Sequence, residues 1–120
     1  MAKILVADDE LGLQTLVREV LENDGHQVLV VATGGEVMPA LVREKPDVLV
    51  LDIMLPGLDG YSLQGSIAKD PQLKDIPVIV ITAQKAFLEM FREFSQVRKT
   101  LAKPFRNEEL VRAVREALKR

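Results

Sequence analysis

A doubly wound α/β fold built on a parallel sheet is the architecture this sequence predicts, and three observations predict it. Ile4-Leu5-Val6-Ala7, Val28 to Ala32, Val48 to Leu51 and Val78 to Ile81 are continuous apolar runs rich in β-branched residues. Unbroken runs of strand length mark strands covered on both faces, as in a parallel sheet. Helix-period segments separate the runs, so strand and helix alternate about five times. Polar residues close the runs, namely Asp8-Asp9, Asp52 and Thr82, and Lys103-Pro104 closes a weaker fifth segment.

Taken in order, Ile4 to Ala7 gives the first strand. Leu13, Leu16, Val17, Val20 and Leu21 then recur on one face of a helix that Gly25 ends. His26, the only histidine, follows in a turn and is read as solvent-facing. Val28 to Ala32 gives the second strand, and Val37, Leu41 and Val42 mark a second helix. Pro39 is tolerable there if it falls near the first turn. Val48 to Leu51 is the third strand, and Leu63 and Ile67 mark a third helix limited by Pro71. Val78 to Ile81 is the fourth strand, followed by a helix marked by Phe87, Leu88, Phe91 and Phe94. Leu110, Val111, Val114 and Leu118 mark a fifth helix after the weak fifth strand. Asn107 is its expected N-cap, with Glu108 and Glu109 in the first turn, where carboxylates favour the helix dipole.

Right-handed crossovers turn this alternation into a five-stranded parallel sheet with helices on both faces. In the flavodoxin-like strand order 2-1-3-4-5, the ligand crevice lies at the carboxyl ends of the first and third strands. Asp8-Asp9 and Asp52 stand there. At 120 residues with 48% hydrophobic residues, the chain is read as one domain over residues 1–120, with no output domain attached.

The lack of cysteine excludes thiolate metal sites and thiol catalysis and suits a reducing, cytoplasmic setting. No apolar stretch is long enough for a membrane span, and no signal peptide or membrane association is expected. A net charge of -2 offers no basic surface for nucleic acid, so none is expected to bind this chain.

The polar residues at the strand ends each have a plain structural alternative. Asp8 and Asp9 could cap the helix starting near Glu10, but three acids in a row exceed the needs of a cap. Their oxygens suit a hard cation such as Mg²⁺. Asp52 could form a turn, yet the turn residues come later, at Pro56-Gly57 and Asp59-Gly60. Thr82 could be a β-former and Lys103 a surface lysine, held extended by Pro104. Gathered in one crevice, three carboxylates, a hydroxyl and an ammonium match the needs of binding a divalent cation and receiving a phosphoryl group.

These residues resemble the receiver domain of two-component response regulators, the CheY-like family. The likeness covers the whole chain. It rests on Ile4 to Glu10, on Asp47-Val48-Leu49-Val50-Leu51-Asp52-Ile53-Met54-Leu55-Pro56-Gly57-Leu58-Asp59-Gly60, on Pro77 to Ala83 and on Lys103-Pro104-Phe105. The resemblance implies Asp52 as phosphoryl acceptor, Asp9 as a direct Mg²⁺ ligand and Asp8 as a ligand through water. It also implies a ligand role for Asp52 itself and for the Met54 backbone carbonyl. Thr82 and Lys103 would hold phosphoryl oxygens. The implied donor is a histidine kinase or phosphotransfer protein, and the implied output is a changed contact with a partner or a second copy.

The chain departs from the family's pattern at Thr100, where receivers carry Tyr or Phe. Ser95-Gln96-Val97-Arg98-Lys99 replaces the usual turn before the fifth strand, and the segment from Thr82 to Lys103 is about a residue short. The fourth helix concentrates Phe87, Leu88, Met90, Phe91 and Phe94. Leu88 and Met90 are expected to lie off the Phe87-Phe91-Phe94 stripe and to leave apolar surface for a partner or for self-association. A receiver-fold binding module independent of phosphorylation is the competing reading. A phosphohydrolase that turns over external substrates is not expected, because Met54 stands where such enzymes carry a second Asp.

Overall fold

The computed structural model describes residues 2–57 and 59–119; Leu58 of the motif after Asp52 lies outside them. Five strands, β1 (Lys3–Ala7), β2 (Gln27–Val31), β3 (Val48–Asp52), β4 (Val78–Thr82) and β5 (Val97–Ala102), pair in parallel in the order β2-β1-β3-β4-β5. The helices are α1 (Leu11–Asn23), α2 (Gly34–Glu44), α3 (Gly60–Lys69) and α4 (Asn107–Leu118). A fifth helical segment, Lys85–Glu93, lies between β4 and β5 and is a 3-10 helix.

The unbroken apolar runs divide by alternation, since successive strand side chains point to opposite faces. Leu5, Ala7, Leu49, Leu51, Val78 and Val80 face Val37 and Leu41 of α2, Leu63 and Ile67 of α3, and Phe91. Ile4, Val6, Val48, Val50, Ile79 and Ile81 face Val17 and Leu21 of α1 and Leu110 and Val114 of α4. The central strands are therefore buried on both sides, as their composition predicts. Strand order reverses beside β1, which pairs with β2 on one edge and β3 on the other.

Several local expectations are corrected. Leu16 and Val42 project to solvent, because each helix buries a narrower stripe than its apolar content suggests. Pro39 sits inside α2 rather than in its first turn. It is exposed, so the Gly35 carbonyl that loses its partner to the proline can bond water. The N-cap of α4 is Arg106, one residue before Asn107. Its amide donates to Glu109 Oε1 at 2.8 Å, so a backbone group and an acid three residues on do the capping. His26 is mostly buried rather than solvent-facing, and its Nδ1 accepts from the Ala2 amide at 3.3 Å.

The 3-10 segment also rearranges the expected apolar stripe. With three residues per turn, side chains three apart share a face. Phe91 is buried, with Leu88 and Phe94 packed against the same core, whereas Phe87 and Met90 are exposed. A 3-10 helix rises about 2.0 Å per residue against about 1.5 Å for an α-helix. A shortened segment can thus span the same gap. Tyr61 joins this layer, its ring 5.7 Å from that of Phe91 and its hydroxyl donating to Glu93 at 2.6 Å.

Two buried glutamines tie the same layer together. Gln64 Nε2 donates to Gln96 Oε1 at 3.0 Å, and Gln96 Nε2 donates to the carbonyl of Ile76 at 2.9 Å. Before α3, Asp59 caps the helix by accepting from the Tyr61 amide at 3.0 Å. The next residue, Gly60, packs so tightly that a Cβ there would lie 2.5 Å from the carbonyl oxygen of Ile53.

Candidate functional site

The carboxyl ends of β1, β3 and β4 and the residue after β5 meet in one crevice. Asp8 directly follows β1 and is fully buried; Asp52 ends β3 with 3% of its surface exposed. Lys103 Nζ lies 2.8 Å from Asp52 Oδ2, 2.9 Å from Glu10 Oε1 and 3.0 Å from Asp8 Oδ2. Main-chain donors fix the other oxygens. The Glu10 amide donates to Asp8 Oδ1 at 2.8 Å, and the Met54 amide donates to Asp52 Oδ1 at 2.8 Å. Each oxygen of Asp52 thus has one donor, which holds the plane of the carboxylate.

Thr82 ends β4, fully buried, and its Oγ1 accepts from the Gln84 amide at 3.0 Å. The Lys103 amide donates to the Thr82 carbonyl at 2.8 Å, which docks the end of β5 against β4. The peptide bond between Lys103 and Pro104 is cis. Thr100 is half-buried on β5 in register with Val80, on the face that carries the 3-10 segment.

Four of the expected site residues, Asp8, Asp52, Thr82 and Lys103, are brought together. Met54 follows with its amide on Asp52 and its side chain exposed. Asp9 is exposed and stands outside the carboxylate cluster, which is formed by Asp8, Glu10 and Asp52. Glu10 is the site residue that motif reading passed over. The signal was present: in extended chain, residues two apart share a side, and Glu10 has extended backbone angles. Asp8 and Glu10 therefore both turn toward the crevice.

Charge dominates this site. Burial pushes the Asp8 carboxyl above the usual aspartate range and Asp52 adds to the rise, against the Glu10 amide and Lys103, which lower it. Burial also opposes the Lys103 ammonium, but hydrogen bonds to Asp52 and Glu10 and the Asp8 carboxylate beside it outweigh burial and hold the group above the ordinary lysine range. Three carboxylates surround one ammonium, so the crevice is anionic.

The donor set fits a hard divalent cation. One oxygen from each of Asp8, Glu10 and Asp52 lies within 4.8 Å of the others, and oxygen ligands are what Mg²⁺ and Ca²⁺ take. Asp8 Oδ2 is buried and has no hydrogen-bond partner. Its 3.0 Å approach to Lys103 is an ion pair without hydrogen-bond alignment, so this oxygen retains capacity for a cation. Beside the crevice, an open groove of about 400 Å³ runs from Glu10 and Lys103 over Leu13, Leu16, Ala83 and Phe105.

Comparison with known proteins agrees with this geometry. The response regulator receiver domain, as a family model, matches residues 4–115. The chain belongs to this family. PilH of Pseudomonas aeruginosa is 34% identical to this receiver over 119 residues, 98% of each chain. Sporulation initiation phosphotransferase F of Bacillus subtilis is 34% identical over 120 residues, 97% of this chain and 93% of that protein. Among solved structures, the receiver domain of a Pseudomonas aeruginosa sensor histidine kinase, with a magnesium ion coordinated in its active-site cleft, superposes with a TM-score of 0.84. It shares 31% identity and covers 98% of this chain and 97% of that one. The receiver spans about half the length of several transcriptional regulators that it also matches. Among the described residues, no helix is long and apolar enough to cross a membrane.

Proposed function

We propose that this receiver is a phosphorylation switch in which Asp52 accepts a phosphoryl group from a histidine kinase or phosphotransfer protein. One observation carries the reading: a buried strand-end carboxylate with both oxygens held by donors, 2.8 Å from a lysine ammonium and inside a set of carboxylates suited to a cation. In the transfer, an Asp52 oxygen attacks phosphorus as the bond from phosphorus to the donor's imidazole nitrogen breaks, and the imidazole keeps the electron pair. Such chemistry asks a protein mainly for positioning and charge neutralisation.

Asp8, Asp52, the Met54 backbone carbonyl and an acid from Asp9-Glu10 would hold Mg²⁺. When bound, Mg²⁺ neutralises the approaching phosphoryl oxygens and orients them. Lys103 supplies the second positive charge. Thr82, whose hydroxyl hydrogen is free to donate, would bond a phosphoryl oxygen. Water later cleaves the acyl phosphate, restoring Asp52 and releasing inorganic phosphate, so no external substrate is turned over.

The apolar groove lined by Leu13, Leu16 and Phe105 suits the approach of a donor protein. Phe87 and Met90, with Leu88 at their margin, would form the output face for a partner or a second copy. Such a switch would act in the cytoplasm. Thr100 favours a second reading, a phosphorylation-independent binding module, since a threonine does not fill the space of an aromatic ring.

Incubation with a small acyl phosphate and Mg²⁺, followed by intact mass measurement, separates these readings. The switch gains one base-labile phosphoryl group that Asp52→Asn abolishes. No gain in mass under conditions that label another receiver would favour the binding module.

A further inference from the structure

Lys103 is crowded in the resting site. Its Nζ donates to Asp52 Oδ2 at 2.8 Å and to Glu10 Oε1 at 2.9 Å, and a third carboxylate oxygen, Asp8 Oδ2, stands 3.0 Å away as an ion pair. A phosphoryl oxygen that comes to Lys103 therefore competes with these oxygens for the ammonium. The partners differ in what they lose. Asp8 is completely buried, and its Oδ2 has no other partner. Asp52 becomes the carrier of the phosphoryl group itself. The Glu10 side chain is 63% exposed, so water replaces the ammonium at little cost.

We propose that Glu10 is a releasable latch on Lys103, a positioning residue that holds the ammonium over the resting site and competes with the incoming phosphoryl group for it. This inference rests on Asp52 being the acceptor. Without the latch, the occupied state no longer has a resting ion pair to displace. Exposed ion pairs are worth at most about a five-fold change in an equilibrium, which sets the size of the effect.

The test is titration of the whole chain with beryllofluoride, a phosphoryl mimic, in saturating Mg²⁺, followed by calorimetry. Relative to wild type, Glu10→Ala should bind roughly two- to five-fold more tightly. Glu10→Asp keeps the charge but is one methylene shorter, so it should approach Glu10→Ala. Glu19→Gln, which removes an exposed acid elsewhere on α1, should match wild type.

Wild-type affinity in Glu10→Ala overturns the latch. Tight binding by Glu10→Ala but not by Glu10→Asp also overturns it, because net charge rather than the contact would then be responsible. Mg²⁺ alone is titrated first. A Glu10→Ala variant that loses Mg²⁺ affinity ten-fold, without a gain for beryllofluoride at saturating Mg²⁺, makes Glu10 a metal ligand and rejects the latch. Wild type that binds no beryllofluoride defeats the acceptor reading together with the latch. Normal binding by wild type and unchanged Glu10 variants defeats the latch alone.

Discussion

Asp8 carries an electrostatic load that the metal-free protein bears at neutral pH. Its carboxyl is fully buried, and burial first, then Asp52, raises its proton affinity over the unfolded value. A folded carboxyl with a raised pKa contributes stability below the unfolded value, and that contribution is lost as pH rises through the folded one. Asp8→Asn removes the loss while keeping an oxygen for the Glu10 amide. In chelator at pH 7 it should be more stable than wild type by on the order of 1 kcal/mol. The gain should vanish as pH falls below the ordinary aspartate range, and Mg²⁺ binding should weaken. Urea unfolding at both pH values checks this; a variant no more stable at pH 7 contradicts it. Asp9, which the family resemblance makes a direct Mg²⁺ ligand, is exposed, so Asp9→Asn should change metal-free stability by less than about 0.5 kcal/mol. Three consecutive acids show that a cluster exists. Which of them turn inward depends on backbone angles that composition does not carry.

Among the elements, the segment Lys85–Glu93 separates what a sequence displays from what packing decides. Relative to Phe91, a repeat of 3.0 and one of 3.6 both keep Leu88 and Phe94 within about 60°, but they part company at Phe87, which lies about 120° away in the first and about 40° away in the second. The apolar content was therefore legible and its facing was not. The 3-10 arrangement makes a direct prediction. Phe91→Ala should cost about 3–5 kcal/mol, as expected for a large core aromatic, whereas Phe87→Ala should stay within about 0.5 kcal/mol. Denaturant midpoints of the two variants decide it, and a cost at Phe87 comparable to that at Phe91 would restore the α-helical register. The strands were easier to read. Their unbroken β-branched runs have few other uses in a chain of this size, and each ended within a residue of its expected position. Gln64 and Gln96 went unnoticed because a buried amide pair leaves no periodic trace.

At the level of the whole molecule, the crevice gathers residues from four strand ends, so a cation bound there joins segments far apart in sequence. Two carboxylates about 5 Å apart repel by roughly 3 kcal/mol at an effective dielectric of 20, and a divalent ion removes this repulsion. Mg²⁺ at 100 times its dissociation constant should stabilise the fold by about 2.7 kcal/mol. The melting temperature should rise with Mg²⁺ concentration, and identical melting curves with and without it would remove the metal from the site. Topology made the crevice foreseeable, because parallel order delivers the ends of β1 and β3 to one edge. The tight contact between Gly60 and Ile53 gives that crevice a mechanical handle. A methyl group at position 60 would act as a wedge, prying the turn after β3 outward and taking the Met54 amide from Asp52 without altering any charge. Gly60→Ala should therefore cost about 1–3 kcal/mol and shift the Met54 amide resonance. An unmoved resonance would mean that the wedge is absorbed before it reaches Asp52. A shifted one would make α3 a lever, through which force on the helix tunes a carboxylate it never touches.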